Sequence, residues 1–392
     1  MLKLMEKSFT TQTVVVSLLL AFISFSARGE NAPGVSENEI KIGSDTSLTG
    51  PYAVYGLVSK AADAYFKMIN DSGGVFGRKI NYSYKDNQSN PAKALEVMKE
   101  LVQQDQIFAS VLNLSAAHDG AMDFLQQKEV PDLLAGNGSA KLINYKFGTA
   151  STPGWADEAT WMSKYVQKHF PKKKIGLLAL NESGIETIEA SISKAYEGKT
   201  PSPMIEKVDV AAVSLEAQIL KLKNEKVEVI LTTMDLGHTV AAIKTAHLQG
   251  YRPVFVSASY HAVSFAFALL GEDAEGLISS TYLKLPDDKH PSAEYKAHIA
   301  MVHKYYPDVQ TNLLTVWGAS QAEIFVEALK RTGKDLTRQK LMETIEGMAN
   351  FKCTNCIDKL SLSKTQHRVY SSVHVVKATK GNWVMTGEKF SF

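Results

Sequence analysis

The strongest constraint on this chain is a strict alternation of short apolar runs with helix-period segments, and the alternation occurs twice. "IKIGSD" (40–45) is followed by a helical repeat whose apolar face is Leu57, Ala61, Ala64 and Met68, closed by "DSGG" at 71–74. "INYSYKD" then places Ile80, Tyr82 and Tyr84 on one side of a strand, and Asn90 with Pro91 opens a second helix. "IFASVLN", a short helix from about His118 and "VPDLLAG" complete a βαβαβαβ unit. The order returns after about residue 170, through "KKKIGLLAL", a helix over 185–196, "MIEKVDV", a helix over 215–226, "VEVILTT", a helix over 237–249 and "RPVFVSA". A crossover helix must bury its apolar stripe against the sheet it spans. The pattern therefore predicts an α/β fold of two doubly wound lobes with parallel sheets.

Length agrees, since 392 residues exceed what one ordinary core organises. Lys plus Arg number 43 and Asp plus Glu 41, so a formal charge of +2 gives no reason to expect nucleic acid or an anionic membrane as partner. The expected partner is small. At the start, Lys3 and Lys7 precede the apolar "TVVVSLLLAFISF", with small residues at Ser24, Ser26 and Ala27. This is the pattern of a secretory signal over residues 1–29, cut between Ser26 and Ala32, although an uncleaved anchor would share its apolar run. The mature chain is then expected in the periplasm, with no stable membrane insertion. The only cysteines, Cys353 and Cys356, stand in "FKCTNC", where an exported protein most simply forms a local disulfide; redox or metal roles remain open.

Between the first strand and helix lies "SLTGPYAVYG" (47–56), where open α/β folds keep ligands. It is no phosphate loop: Gly50 and Gly56 are separated by five residues and Leu57 stands where a lysine would be needed. No dinucleotide fingerprint, G-x-S-x-G elbow or paired metal-binding histidines occur, so neither a cofactor nor a metal is expected. An enzyme is the less favoured class, because no nucleophile, base and orienting acid can be pointed to by motif, although a triad assembled in space need leave none.

"IKIGSDTSLTGPYAVYG", "AADAYFKMINDSGGVFGRKI" and "VPDLLAGNGSAKL", together with the export signal, resemble the type I periplasmic solute-binding proteins, in particular the branched-chain (leucine/isoleucine/valine) amino-acid-binding family of ABC transporters. The resemblance covers residues from about 37 to 392. It implies a three-crossing hinge, with lobe 1 formed by 38–150 plus 284–358 and lobe 2 by 151–283 plus 359–392. It also implies a monomer that captures a small carboxylate-bearing ligand between the lobes and presents it to ABC permease subunits, without chemistry.

Site residues follow from the resemblance position by position. Ser115 in "LNLSAAHDG" matches the hydroxyl residue that holds the ligand carboxylate, and Gly136, Asn137 and Gly138 match the small-residue loop that completes this grip. Where the family often has Thr this chain has Gly138, so Asn137 or Ser139 would have to supply any side-chain bond. Tyr55 matches an aromatic packed on the ligand, with Tyr52 and Trp155 as further candidates. In lobe 2 the loop that carries the family's ammonium-binding acid reads Ser257, Ala258, Ser259, Tyr260, His261, without a carboxylate; Asp235 and Tyr260 are the expected substitutes. The tyrosine that the family often carries after its first lobe-2 strand is also missing from "NESGIE". An aromatic or aliphatic acid without an amine is therefore a competing ligand. Local readings stay open beside these: Ser115 and Asp235 could each simply cap a helix, and Tyr260 and His261 could belong to a solvated loop.

Overall fold

The computed structural model describes residues 32–199, 202–360 and 362–392; the expected signal segment, 1–29, lies outside them. The first sheet contains β1 (Glu39–Thr46), β2 (Lys79–Asp86), β3 (Ala109–Val111), β4 (Asp132–Ala135) and β5 (Gly148–Ala150), all parallel, in the order β2-β1-β3-β4-β5. The second contains β6 (Ile175–Leu180), β7 (Met204–Val208), β8 (Val229–Thr232), β9 (Val254–Ser257), β10 (Ile278–Thr281), β11 (Ser372–Thr379) and β12 (Asn382–Ser391), in the order β12-β11-β10-β9-β8-β6-β7. In each sheet the first strand sits between its two successors, which creates a crevice beyond the strand ends where the winding reverses. Those crevices lie between β1 and β3 and between β6 and β8.

The second sheet departs from the expected parallel arrangement at one edge, because β11 pairs antiparallel with both β10 and β12. β11 reaches β10 only after the chain has run through residues 282–371, whereas the β11–β12 pairing has a local cause. Lys380 and Gly381 both take positive φ (51° and 72°), giving a tight hairpin turn with no room for a crossover helix. The inner strands β3, β4, β6 and β8 are buried on both faces, whereas the edge strands β2 and β7 are partly exposed. In β6, Ile175, Leu177 and Ala179 join one apolar cluster and Leu178 and Leu180 another.

The helix Gly56–Asp71 buries more than the stripe its periodicity suggests. Val58, Ala62 and Phe66 enter the main core, whereas Ala61, with Leu57 beside it, meets Val302 and Val309 of a later segment. Leu57 and Met68 on the expected stripe are only partly buried, and a second layer of helices covers another side of this helix. That layer includes Ala293–Tyr305 and the long helix Leu313–Thr332. The long helix approaches closely at Gly318, where a β-carbon would stand 2.1 Å from the Val58 carbonyl oxygen. Asn90 caps Pro91–Gln103 as expected, accepting from the Ala92 and Lys93 amides.

Three segments run between the sheets and are bonded to one another. The Ala150 amide donates to the His367 carbonyl and its carbonyl accepts from Val369. Lys284 and Ile357 make the corresponding bonds to Asn355 and Tyr282, and Tyr282 stacks on Tyr370 at 4.2 Å. Cys353 and Cys356 adjoin this hinge with Cα atoms 5.0 Å apart, within disulfide range.

Candidate functional site

The loop that leaves β1 is fastened before it reaches the cleft. Asp86 accepts from the Leu48, Thr49 and Gln88 amides and from the Thr49 hydroxyl, and Gly50 turns the chain at a φ of 82°. Tyr52 and Tyr55 then enter the cleft with ring centroids 6.3 Å apart.

Beyond β3, Ser115 holds φ 73° and ψ 168°, a region costly for a residue with a β-carbon. Its side chain does not cap the 3₁₀ turn Ala116–His118 that precedes the helix Asp119–Gln127, and Oγ lies 3.4 Å from Ser47 Oγ. The distorted turn is held from beneath. Asn113 accepts from the Asp45 amide and donates to Asp132 at 2.7 Å; Asn137 donates to the Ser115 carbonyl at 2.9 Å. Under all of them, fully buried His118 bridges Asp45 (2.8 Å) and Asp132 (2.7 Å). Burial opposes a charge on that ring, but the two carboxylates outweigh it and hold the imidazole well above its ordinary range, as an imidazolium.

The loop after β4 is shaped by two indoles. A β-carbon on Gly136 would meet Trp317 at 2.5 Å, and one on Gly138 would meet Trp155 at 2.4 Å. Trp155 therefore fills the volume that a threonine at 138 would need. The Asn137 side chain is committed, donating to the Ser115 carbonyl and Asp119 and accepting from the Ser139 amide, while Ser139 Oγ accepts from the Lys141 amide and does not line the cavity. What this loop offers a ligand is backbone.

The opposite wall comes from the ends of β6, β8 and β9. Asp235 caps the helix Leu236–Leu248 by accepting from the His238 amide, and its other oxygen pairs with His238 Nδ1. Burial pushes its carboxyl up, but His238 more than compensates and holds it low, while His238 is raised by the same bond. The Tyr260 hydroxyl is committed to the Thr233 carbonyl at 2.7 Å. His261 turns into the protein rather than into a solvated loop; burial pushes its ring down to about 4, so it is neutral.

All eight residues expected in the site, Tyr55, Ser115, Gly136, Asn137, Gly138, Trp155, Asp235 and Tyr260, line one cavity of about 840 Å³, mouth included. The resemblance did not supply Glu158 or Glu182, which line it too. Glu158 stands one helical turn beyond Trp155 and accepts from Trp161 Nε1 (2.6 Å) and from the Ser259 amide and hydroxyl; burial pushes it up to about 7. Glu182 stands two residues beyond the end of β6, at the second crevice, and its position near a strand end was the available signal. It accepts from the Tyr52 hydroxyl at 2.6 Å, and Ser183 donates to Asp119. These two bonds join the lips of the cleft. The lining includes no lysine or arginine among the described residues, and two of its buried polar atoms, Thr233 Oγ1 and Trp317 Nε1, have no partner among them.

The profile of the periplasmic binding proteins ("Periplasmic binding protein") matches residues 39–382. The Leu/Ile/Val-binding protein homolog 1 of Brucella abortus is 25% identical over 260 residues, 65% of this chain and 70% of that protein. Among solved structures, a branched-chain amino acid ABC transporter protein from Thermus thermophilus with bound valine superposes with TM-score 0.80 at 18% identity, covering 91% of this chain and 98% of that one. A fatty acid ABC transporter substrate-binding protein from Thermomonospora curvata gives TM-score 0.80 at 20% identity, over 93% and 95%. With two doubly wound lobes, a bonded hinge and a cleft between their switch points, the chain belongs to the type I periplasmic binding proteins.

Proposed function

We propose that the protein is the exported substrate-binding component of an ABC importer and that its cargo is an α-amino acid with an apolar side chain. One observation carries this reading: a single cleft opposes a wall of hydroxyl and backbone groups to a wall containing Glu182 and Asp235, with no lysine or arginine in its described lining. Ser115 and the backbone of residues 136–138 hold the carboxylate. Tyr55, Trp155 and Tyr260 pack on the apolar body, and the acidic wall takes the ammonium. A carboxylic acid without an amine would leave that wall unmatched.

The lobes comprise 38–150 plus 284–358 and 151–283 plus 359–392. Closure between them is a population shift driven by contacts available only when the lips meet. The closed form is what a permease recognises, and the carrier works as a periplasmic monomer after residues 1–29 are removed. No helix among the described residues is long and apolar enough to cross a membrane.

A thermal-shift screen of L-leucine, L-valine and L-phenylalanine against 4-methylpentanoate, 3-methylbutanoate and 3-phenylpropanoate tests the reading, with recovery and analysis of each ligand. Stabilisation by an amino acid that is recovered intact supports it. Stabilisation by the acids alone refutes the amino-acid assignment, and turnover refutes a purely binding role.

A further inference from the structure

Three carboxylates line the cleft, Glu158, Glu182 and Asp235, and their surroundings differ. Glu158 has its oxygens occupied by Trp161 and by the amide and hydroxyl of Ser259. Asp235 is neutralised locally by His238, whose remaining ring nitrogen lies 3.1 Å from the Ala212 carbonyl. Glu182 has neither kind of compensation. One oxygen accepts from the neutral Tyr52 hydroxyl, and the other has no donor among the described residues.

Its neighbours make the imbalance worse. Asp235 and Asp119 both act on Glu182 with the same sign of charge, and His238, the cation that opposes them, is already committed to Asp235. A largely buried carboxylate with a vacant lone pair and no counter-charge needs either a proton or a cation brought from outside. Trp317, which also lines this cavity, is only 5% exposed, and its Nε1 has no partner among the described residues.

We infer that Glu182, and not Asp235, is the specificity-determining residue that pairs with the ligand's ammonium group, with the Tyr52 hydroxyl holding the carboxylate in place. This rests on the proposed amino-acid cargo. It assigns the charge recognition to the loop after β6, whereas Asp235 keeps His238 and the start of Leu236–Leu248 in position. The bond to Tyr52 spans the lips, so recognition and closure meet in one side chain: the ammonium aligns the carboxylate that the opposite lobe then grips.

Isothermal titration of wild type, Glu182→Gln, Asp235→Asn and Tyr52→Phe with the three amino acids and three acids named above separates recognition from simple latching. Glu182→Gln is expected to weaken amino-acid binding about ten- to hundredfold, the loss of a charge-assisted bond, while changing binding of the matching acid little. Tyr52→Phe, which keeps the carboxylate but removes both the latch and its anchor, is expected to weaken both ligand types, the amino acids more than the acids but less than in Glu182→Gln. Equal losses for acid and amino acid in Glu182→Gln would make Glu182 a latch only and overturn the inference. A larger amino-acid loss in Asp235→Asn than in Glu182→Gln would overturn it too. Wild type that binds the acids and none of the amino acids would instead sink the cargo assignment, and the inference with it.

Discussion

Replacing His118 by Asn tests the buried network beneath the Ser115 turn. His118 and Asp45 are 0% exposed and Asp132 is 1% exposed, so neither carboxylate has water to fall back on. Both ring nitrogens lie within 2.8 Å of a carboxylate oxygen, which requires both to donate. The variant keeps one good bond to Asp132, from Asn113 at 2.7 Å, and a weak one to Asp45, from Asn87 at 3.5 Å. Removing the shared cation leaves two buried negative charges facing one another, and breaking a buried pair in this way costs about 3–5 kcal/mol. Denaturant unfolding followed by tryptophan fluorescence at pH 7 and about pH 4.5 reads the cost. In the wild type the His118 charge contributes stability in full below the free imidazole value of 6.5 and loses it as pH rises through the elevated folded value. In the variant, protonation of a carboxyl relieves the repulsion, so the deficit should shrink at acid pH. A loss below about 1 kcal/mol at pH 7, or an equal loss at both pH values, would refute the assignment of a buried, charged bridge.

Three further outcomes are expected. Ser115→Ala should weaken binding of the amino acid that stabilises the protein most by about 1–3 kcal/mol in titration calorimetry if its hydroxyl meets the charged end, and an unchanged affinity would remove it from the site. Glu158, moved by burial from 4.5 to about 7, favours the folded state most below pH 4.5 and loses that contribution as pH rises through about 7. Unfolding curves should therefore show wild type losing about 3 kcal/mol relative to Glu158→Gln between pH 4.5 and about pH 8, and a flat difference would refute the shift. Alkylation of Cys353 and Cys356 should require prior reduction, and reduction should cost about 2 kcal/mol, the small value expected for so short a loop.

What the residues disclosed depended on whether the signal was periodic or spatial. Alternating apolar runs made the first four strands of each sheet legible, β1–β4 and β6–β9, whereas β5 and β10–β12 fall outside the repeat, and Asn90 with Pro91 marked a helix start. The "SLTGPYAVYG" loop could be placed at a strand end, and the strand order then set it beside β3 and Ser115. The Leu57 to Met68 stripe misled, because a helix covered on two sides has no single apolar face. The cap role left open for Asp235 is real, and its bond to His238 is the feature that periodicity could not reveal. Glu182 stands in the loop that lacks the family's tyrosine, and a charge that matters only for lack of partners has no signature in a linear pattern.

The exchange at Gly138 shows how the departures from the family pattern depend on each other. Trp155 opens the helix at the hinge, and its indole lies against Gly138 from one lobe and Gly184 from the other, where a β-carbon would stand 2.2 Å from the ring. Gly184 also takes a φ of 97°, so this position demands glycine twice over. A large aromatic wedged between the two loops leaves no space for a threonine at 138. On the proposed reading, carboxylate contact on that wall is left to backbone amides and to Ser115. Because the indole touches a loop of each lobe, opening the cleft must separate at least one glycine from it. The hinge residue thus becomes part of the binding surface, and the strain accepted at Ser115 is tied to the same rearrangement, since the Asn137 side chain beside Gly138 holds the Ser115 carbonyl.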